Sequence, residues 1–132
     1  MVKVHDPHAE RILRTAFAED DDAEVYLVPA EHNFYLEEAS LSIEVNGPES
    51  GFGYLYWLRG SDMYYVRDIC QIWVYTAPVN GRIMTGATRG DHSLFPSGLK
   101  IPAGDMLVIV SHETGLIAEG NISGFLVSDY AA

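Results

Sequence analysis

The chain has 132 residues, 48% of them hydrophobic, which suits one ordinary domain with one core. Acidic residues outnumber basic ones 19 to 8, for a net charge of −11, and a field of that sign repels phosphate backbones and argues against direct nucleic-acid binding. Cys70 is the only cysteine, which excludes an internal disulfide, and no run of ~18 apolar residues is present to span a membrane as a helix.

The first residues, MVKVHDPHAERILRTAF, lack the apolar run and small-residue cleavage site of a secretory leader, so no signal peptide is expected. Asp6 is placed to cap a helix and Pro7 to begin it. Ala9, Ile12, Leu13, Ala16 and Phe17 then recur at helical spacing. This predicts an amphipathic helix ending near Ala18, which presents Ile12, Leu13 and Phe17 either to its own domain or to a neighbour. Glu19-Asp20-Asp21-Asp22, with Glu24, lacks the spaced ligands and glycine of a calcium loop and reads as a solvated linker. Residues 1–23 are therefore expected to be helix and linker, and residues 24–132 a β-sandwich domain.

From Glu24 the apolar period falls to two. EVYLVP is a first short strand, and HNFYLEEASLSIEV, His32 to Val45, is a long one. Its apolar phase slips by one residue at Glu37-Glu38, which predicts a bulge. Asn46-Gly47-Pro48 is turn chemistry. Phe52 to Leu58 is apolar on both faces, with Tyr54, Tyr56 and Leu58 on one and Leu55 and Trp57 on the other. In an antiparallel sheet one face meets the core, and the other then needs a subunit interface or a ligand. Arg59 to Asp62 reads as a turn, Met63 to Val66 as a short strand and Ile69 to Thr76 as a clear one. Asn80-Gly81 has hairpin-turn character. Gly86 to Gly98 reads as a punctuated loop, with a short strand at Ser93 to Phe95. Ile101-Pro102-Ala103-Gly104 fits a type I turn with Pro second. Met106 to Val110 is an apolar core strand, and the chain returns through Leu116 to Val127 as its hairpin partner. Val28-Pro29-Ala30 echoes Ile101-Pro102-Ala103 as a turn that launches a core strand. Short strands at this spacing indicate an all-β fold, a jelly-roll-like antiparallel sandwich of about eight strands preceded by a short N-terminal α-helix.

No catalytic signature emerges. There is no nucleophile elbow, phosphate loop or dinucleotide fingerprint. No two of the five His are separated by one residue, and the adjacent pairs Asp91-His92 and His112-Glu113 point to opposite faces of a strand, so no metal site and no cofactor are expected. Cys70, in a strand-like run, reads as a buried inert thiol. The dense aromatics Tyr54, Tyr56, Trp57, Tyr64, Tyr65, Trp73 and Tyr75 have three readings: core filling, a protein interface, or a stacking platform for sugars.

Val28-Pro29-Ala30 before a long strand, Gly98-Leu99-Lys100-Ile101-Pro102-Ala103-Gly104-Asp105 before an apolar one, and a final Asn121-Ile122-Ser123-Gly124-Phe125-Leu126-Val127 together resemble the layout of small jelly-roll structural modules of tailed-phage or phage-like particles. The resemblance covers roughly Glu24 to Val127, and its motifs mark a fold, not an active site. It implies a non-enzymatic structural protein of a virion: capsid decoration, spike base or tail component, made in the host cytoplasm. It further implies a ring of identical subunits that docks on a neighbouring particle protein through the N-terminal segment. The residues expected at such interfaces are Ile12, Leu13, Phe17, Tyr54, Tyr56 and Trp57. The alternative on the same fold is a carbohydrate-binding module that takes a host polysaccharide.

Overall fold

The computed structural model describes residues 9–45, 51–74, 78–79, 82–83 and 88–128. Its strands are β1 (Glu10–Glu19), β2 (Asp22–Leu27), β3 (His32–Val45), β4 (Gly51–Arg59), β5 (Tyr64–Val74), β6 (Pro78–Val79), β7 (Arg82–Ile83), β8 (Thr88–Pro102), β9 (Met106–Ser111) and β10 (Leu116–Ser128). Two antiparallel four-stranded sheets, ordered β1-β10-β3-β8 and β2-β9-β4-β5, form a sandwich, while β6 and β7 pair only with each other. Phe34, Leu36, Leu41 and Ile43 from one sheet meet Leu55, Leu107 and Ile109 from the other, all essentially without exposure. Burying a side chain of this size contributes about 1.5–3 kcal/mol.

Among the described residues there is no helix, and the expected N-terminal one is corrected to β1, the edge strand of the first sheet. Ile12 and Ala18 point into the core, whereas Leu13 and Phe17 stand 62% and 61% exposed on the outer face. The same residues that satisfy a helical stripe thus satisfy alternation. A lone helix of about ten residues is marginal in water. Pairing with β10, from Glu10↔Leu126 to Glu19↔Ile117, gives the backbone its hydrogen bonds instead. The expected cap at Asp6-Pro7 lies outside the described residues.

The acidic run is likewise no free linker. Glu19 ends β1, Asp22 begins β2, and Asp20 turns between them with φ at 54°. Gly115 N donates to Glu19 Oε2 at 2.8 Å, Thr114 Oγ1 to Asp20 Oδ2 at 3.2 Å, and Ser111 N to the Asp21 carbonyl at 3.0 Å. The run therefore ties the first turn of the sandwich to its last.

The long strand β3 has the expected bounds, and its pairing with β8 slips between Leu36 and Glu38, where the bulge was expected. The expected loop over residues 86–98 is corrected: β8 runs through Thr88–Pro102 as an edge strand. Its pairing jumps from Leu94 to Leu99, so Phe95-Pro96-Ser97-Gly98 leave the ladder together. An edge strand tolerates such punctuation because its outer side makes no ladder bonds. Asp91 and Ser93 of β8 reach across to β5: Gln71 N donates to Asp91 Oδ2 at 2.9 Å, and Ser93 Oγ donates to the Ile69 carbonyl at 2.6 Å.

The expected closing hairpin is also corrected. Of the connections between the eight sandwich strands, only β4–β5 joins neighbours in one sheet. β9 pairs with β2 and β4, while β10 pairs with β1 and β3, so the two face each other across the core. The turn entering β9 spans Pro102 to Asp105, with Asp105 N donating to the Pro102 carbonyl at 3.2 Å and Gly104 at φ 86°. Positive φ at the third position is type II geometry, in place of the expected type I with Pro second. The two turns that echo each other in sequence are bonded side by side: Val28 N donates to the Asp105 carbonyl at 3.0 Å, and Gly104 N to the Val28 carbonyl at 2.9 Å.

Candidate binding site

The β4–β5 hairpin organises the outer face of the second sheet. Its turn is held by Arg59, whose Nε and Nη2 donate to the two carboxylate oxygens of Asp62 at 2.9 and 2.7 Å, and by Tyr64 N, which donates to Asp62 Oδ1 at 3.2 Å. Asp105, only 6% exposed, clamps the hairpin to the β8–β9 turn. Trp57 Nε1 donates to its Oδ2 at 2.9 Å, and Gly60 N to its Oδ1 at 3.1 Å. A Cβ on Gly60 would stand 1.8 Å from the Gly104 carbonyl oxygen, so only glycine permits this approach.

Alternation on β4 sends Gly53 and Leu55 inward and Phe52, Tyr54, Tyr56 and Leu58 outward, half-buried. Register then sets Trp73 beside Phe52 and Val110 beside Tyr54. The rings form a strip of two groups on this face: Phe52 lies 4.8 Å from Trp73, 5.1 Å from Tyr54 and 4.5 Å from His112, and Tyr56 lies 5.9 Å from Tyr65. These separations suit tilted aromatic pairs. Beside the strip lies a shallow groove of about 510 Å³ lined by Asp22, Tyr54, Tyr56, Leu58, Tyr65, Asp68, Val110 and His112. Burial and the hydrogen-bonded carboxylate of Asp68 push the Tyr65 phenol up to about 12. Burial, and then the Asp22 carboxylate, also raise Tyr56.

The six expected interface residues are distributed unevenly. Tyr54 and Tyr56 meet in the groove. Leu13 and Phe17 are exposed on the other sheet. Ile12 is a core residue at 2% exposure, and Trp57 packs against the core from the inner side while bonding Asp105, so both make contacts within the fold. Of the clustered aromatics, Tyr64, Tyr65 and Trp73 are exposed, and Tyr75 lies outside the described residues. Asp22, Asp68 and His112 were not legible as site residues, because pairings between distant strands bring them together.

Cys70 is buried, and its thiol is pushed up to about 11, first by burial. Among the described residues no three or more His, Cys, Asp or Glu converge as metal ligands.

The fold and this face define a β-sandwich with an aromatic, acid-rimmed surface groove. No protein-family model and no curated protein matches the chain. A chain from the disulfide-linked pili of Bacillus endospore appendages aligns over 91% of this chain and 86% of its own, at 12% identity and a TM-score of 0.44. The CBM22-1–GH10 modules of Clostridium thermocellum endo-1,4-β-D-xylanase 10B, solved with xylohexaose, align over 81% of this chain and 19% of theirs, at 13% identity and a TM-score of 0.31. Likeness this distant assigns neither ligand nor partner.

Proposed function

We propose that this chain is a non-enzymatic assembly module that oligomerises and docks on a neighbouring protein through the outer face of its β2-β9-β4-β5 sheet. The observation that carries this reading is the aromatic strip on that face, ending in Trp73 at 65% exposure. An antiparallel sheet with one face in solvent ordinarily alternates apolar and polar residues, and a contiguous apolar patch marks a binding surface. The strand order supports the jelly-roll form of the sandwich, since among the eight sandwich strands the chain crosses between sheets at every connection but one. Together with the resemblance of the Gly98–Asp105 and Asn121–Val127 stretches, it supports the reading of the module as a decoration, spike-base or tail protein of a phage-like particle.

Light scattering on the purified chain tests the assembly. The expected mass is a multiple of 14.6 kDa that falls toward one subunit in a Tyr54→Ser/Trp73→Ser variant. An unaltered chain that stays monomeric and captures no neighbouring particle protein would refute it. A second reading, a carbohydrate-binding module, is favoured by the tyrosine-lined groove, since tyrosine faces stack on sugar rings. A glycan array with no hits removes that reading.

A further inference from the structure

We infer that the groove receives a cationic side chain, an arginine or lysine carried on a segment of the docked protein. This rests on the docking reading above and names the partner chemistry of the same site.

Among the described residues, the charged side chains that line the groove are both carboxylates, Asp22 at the β2 rim and Asp68 at the β5 rim, with neither lysine nor arginine beside them. A carboxylate is acceptor-only, whereas guanidinium and ammonium groups are donor-only. Tyr65 sharpens this polarity. Its hydroxyl is hydrogen-bonded to Asp68, so its proton is committed and its oxygen keeps only acceptor capacity. Between the rims stand the rings of Tyr54, Tyr56 and Tyr65, and a cation over an aromatic face is attracted by the negative face of the ring. A neutral sugar asks for donors as well as acceptors and gains nothing from the surrounding charge. A cation gains from both the rim and the net −11 of the chain, which draws it in over distance.

The chain's own cations on this hairpin do not occupy the groove. Arg59 is held by Asp62, and its guanidinium lies 4.9 Å from the Tyr64 ring centroid, while that of Arg67 lies 5.6 Å from the Phe95 ring centroid. Both arginines of the hairpin are thus engaged outside the groove, which leaves its carboxylates without a cation from this hairpin.

Two peptides of equal length and aromatic content, one bearing arginines and one bearing citrulline at the same positions, separate charge from shape. Calorimetric titration into the full chain is expected to show the arginine peptide binding about tenfold or more tightly than the citrulline peptide. That preference is expected to shrink as salt rises and to vanish in an Asp22→Asn/Asp68→Asn variant with an unchanged melting profile. Equal binding of the two peptides, no binding of either, or a neutral xylo-oligosaccharide that binds more tightly and without salt dependence would each overturn the inference. The light-scattering result keeps the two claims separate. Assembly lost in Tyr54→Ser/Trp73→Ser with no arginine preference leaves docking standing and removes the cation. An arginine preference in a chain that neither assembles nor docks leaves the cation site standing and removes the assembly role.

Discussion

Asp105 is the most informative single position in the fold. It is 6% exposed, and its two carboxylate oxygens accept from Trp57 Nε1 at 2.9 Å and Gly60 N at 3.1 Å. Replacing it with alanine strands both donors. A hydrogen bond to a charged acceptor contributes about 1.5–3 kcal/mol, and the lower end applies because both donors are only half-buried and water reaches part of what is freed. Two such bonds give a loss of about 3 kcal/mol, a large fraction of the ~5–15 kcal/mol that holds a domain folded. At this chain length that corresponds to a fall in Tm of about 10 °C. Asp105→Asn keeps one carbonyl acceptor and should lose about half as much. Urea denaturation gives the free energies. A cycle with Trp57→Phe isolates the indole bond, with an expected coupling of about 1 kcal/mol. A loss below about 0.5 kcal/mol in Asp105→Ala, the range of ordinary surface substitutions, would refute the clamp.

Gly60→Ala places a Cβ 1.8 Å from the Gly104 carbonyl, a backbone atom that cannot rotate away. It is expected to cost about 2 kcal/mol in thermal melts, and unchanged stability would show that hairpin and turn do not touch. Cys70, pushed up to about 11, should react slowly with Ellman's reagent at neutral pH and rapidly once unfolded in urea. Its sign in linkage is that of an acid raised in the native state. Stability is intact below its ordinary value of 9.0 and falls as pH climbs from there toward about 11. Tyr65, raised to about 12, acts in the same direction. A urea midpoint that is flat or rising across that range contradicts the assignment.

The strands β3 and β4 and the bulge at Glu37-Glu38 were legible because each strand has one buried face that alternates with period two on either side of its irregularity. β1 was not. Ile12, Ala16 and Ala18 inward and Leu13 and Phe17 outward make a two-sided apolar strand, whose pattern also fits a helix, and its partner β10 is more than a hundred positions away in sequence. β8 was hidden by Pro96 and Gly98, which interrupt a strand without ending it. β9 and β10 look like a hairpin because a tight turn joins them. Gly115, at φ 89°, with Leu116 N donating to the Glu113 carbonyl at 3.2 Å, makes a turn that a hairpin and an arch between sheets share locally. The groove follows the same logic. Its tyrosines were visible as an unpartnered strand face, but its acidic rims come from strands that only the assembled sheet makes neighbours.

The solitary in-sheet connection has a consequence for the order in which the molecule comes together. Loop closure must be completed before distant pairings yield any return, so topologies dominated by such pairings assemble slowly. Within the two sandwich sheets β4–β5 is the one ladder that closes over a short turn, and Asp62 already satisfies that turn from within. It is the natural nucleus, and the rest condenses around it. Glu10, near the start of the chain, stays unpaired until Leu126 has been synthesised. The first sheet therefore remains open, with Leu13 and Phe17 on its rim, until β10 has been made, and that is when this fold is most prone to pairing with the wrong chain.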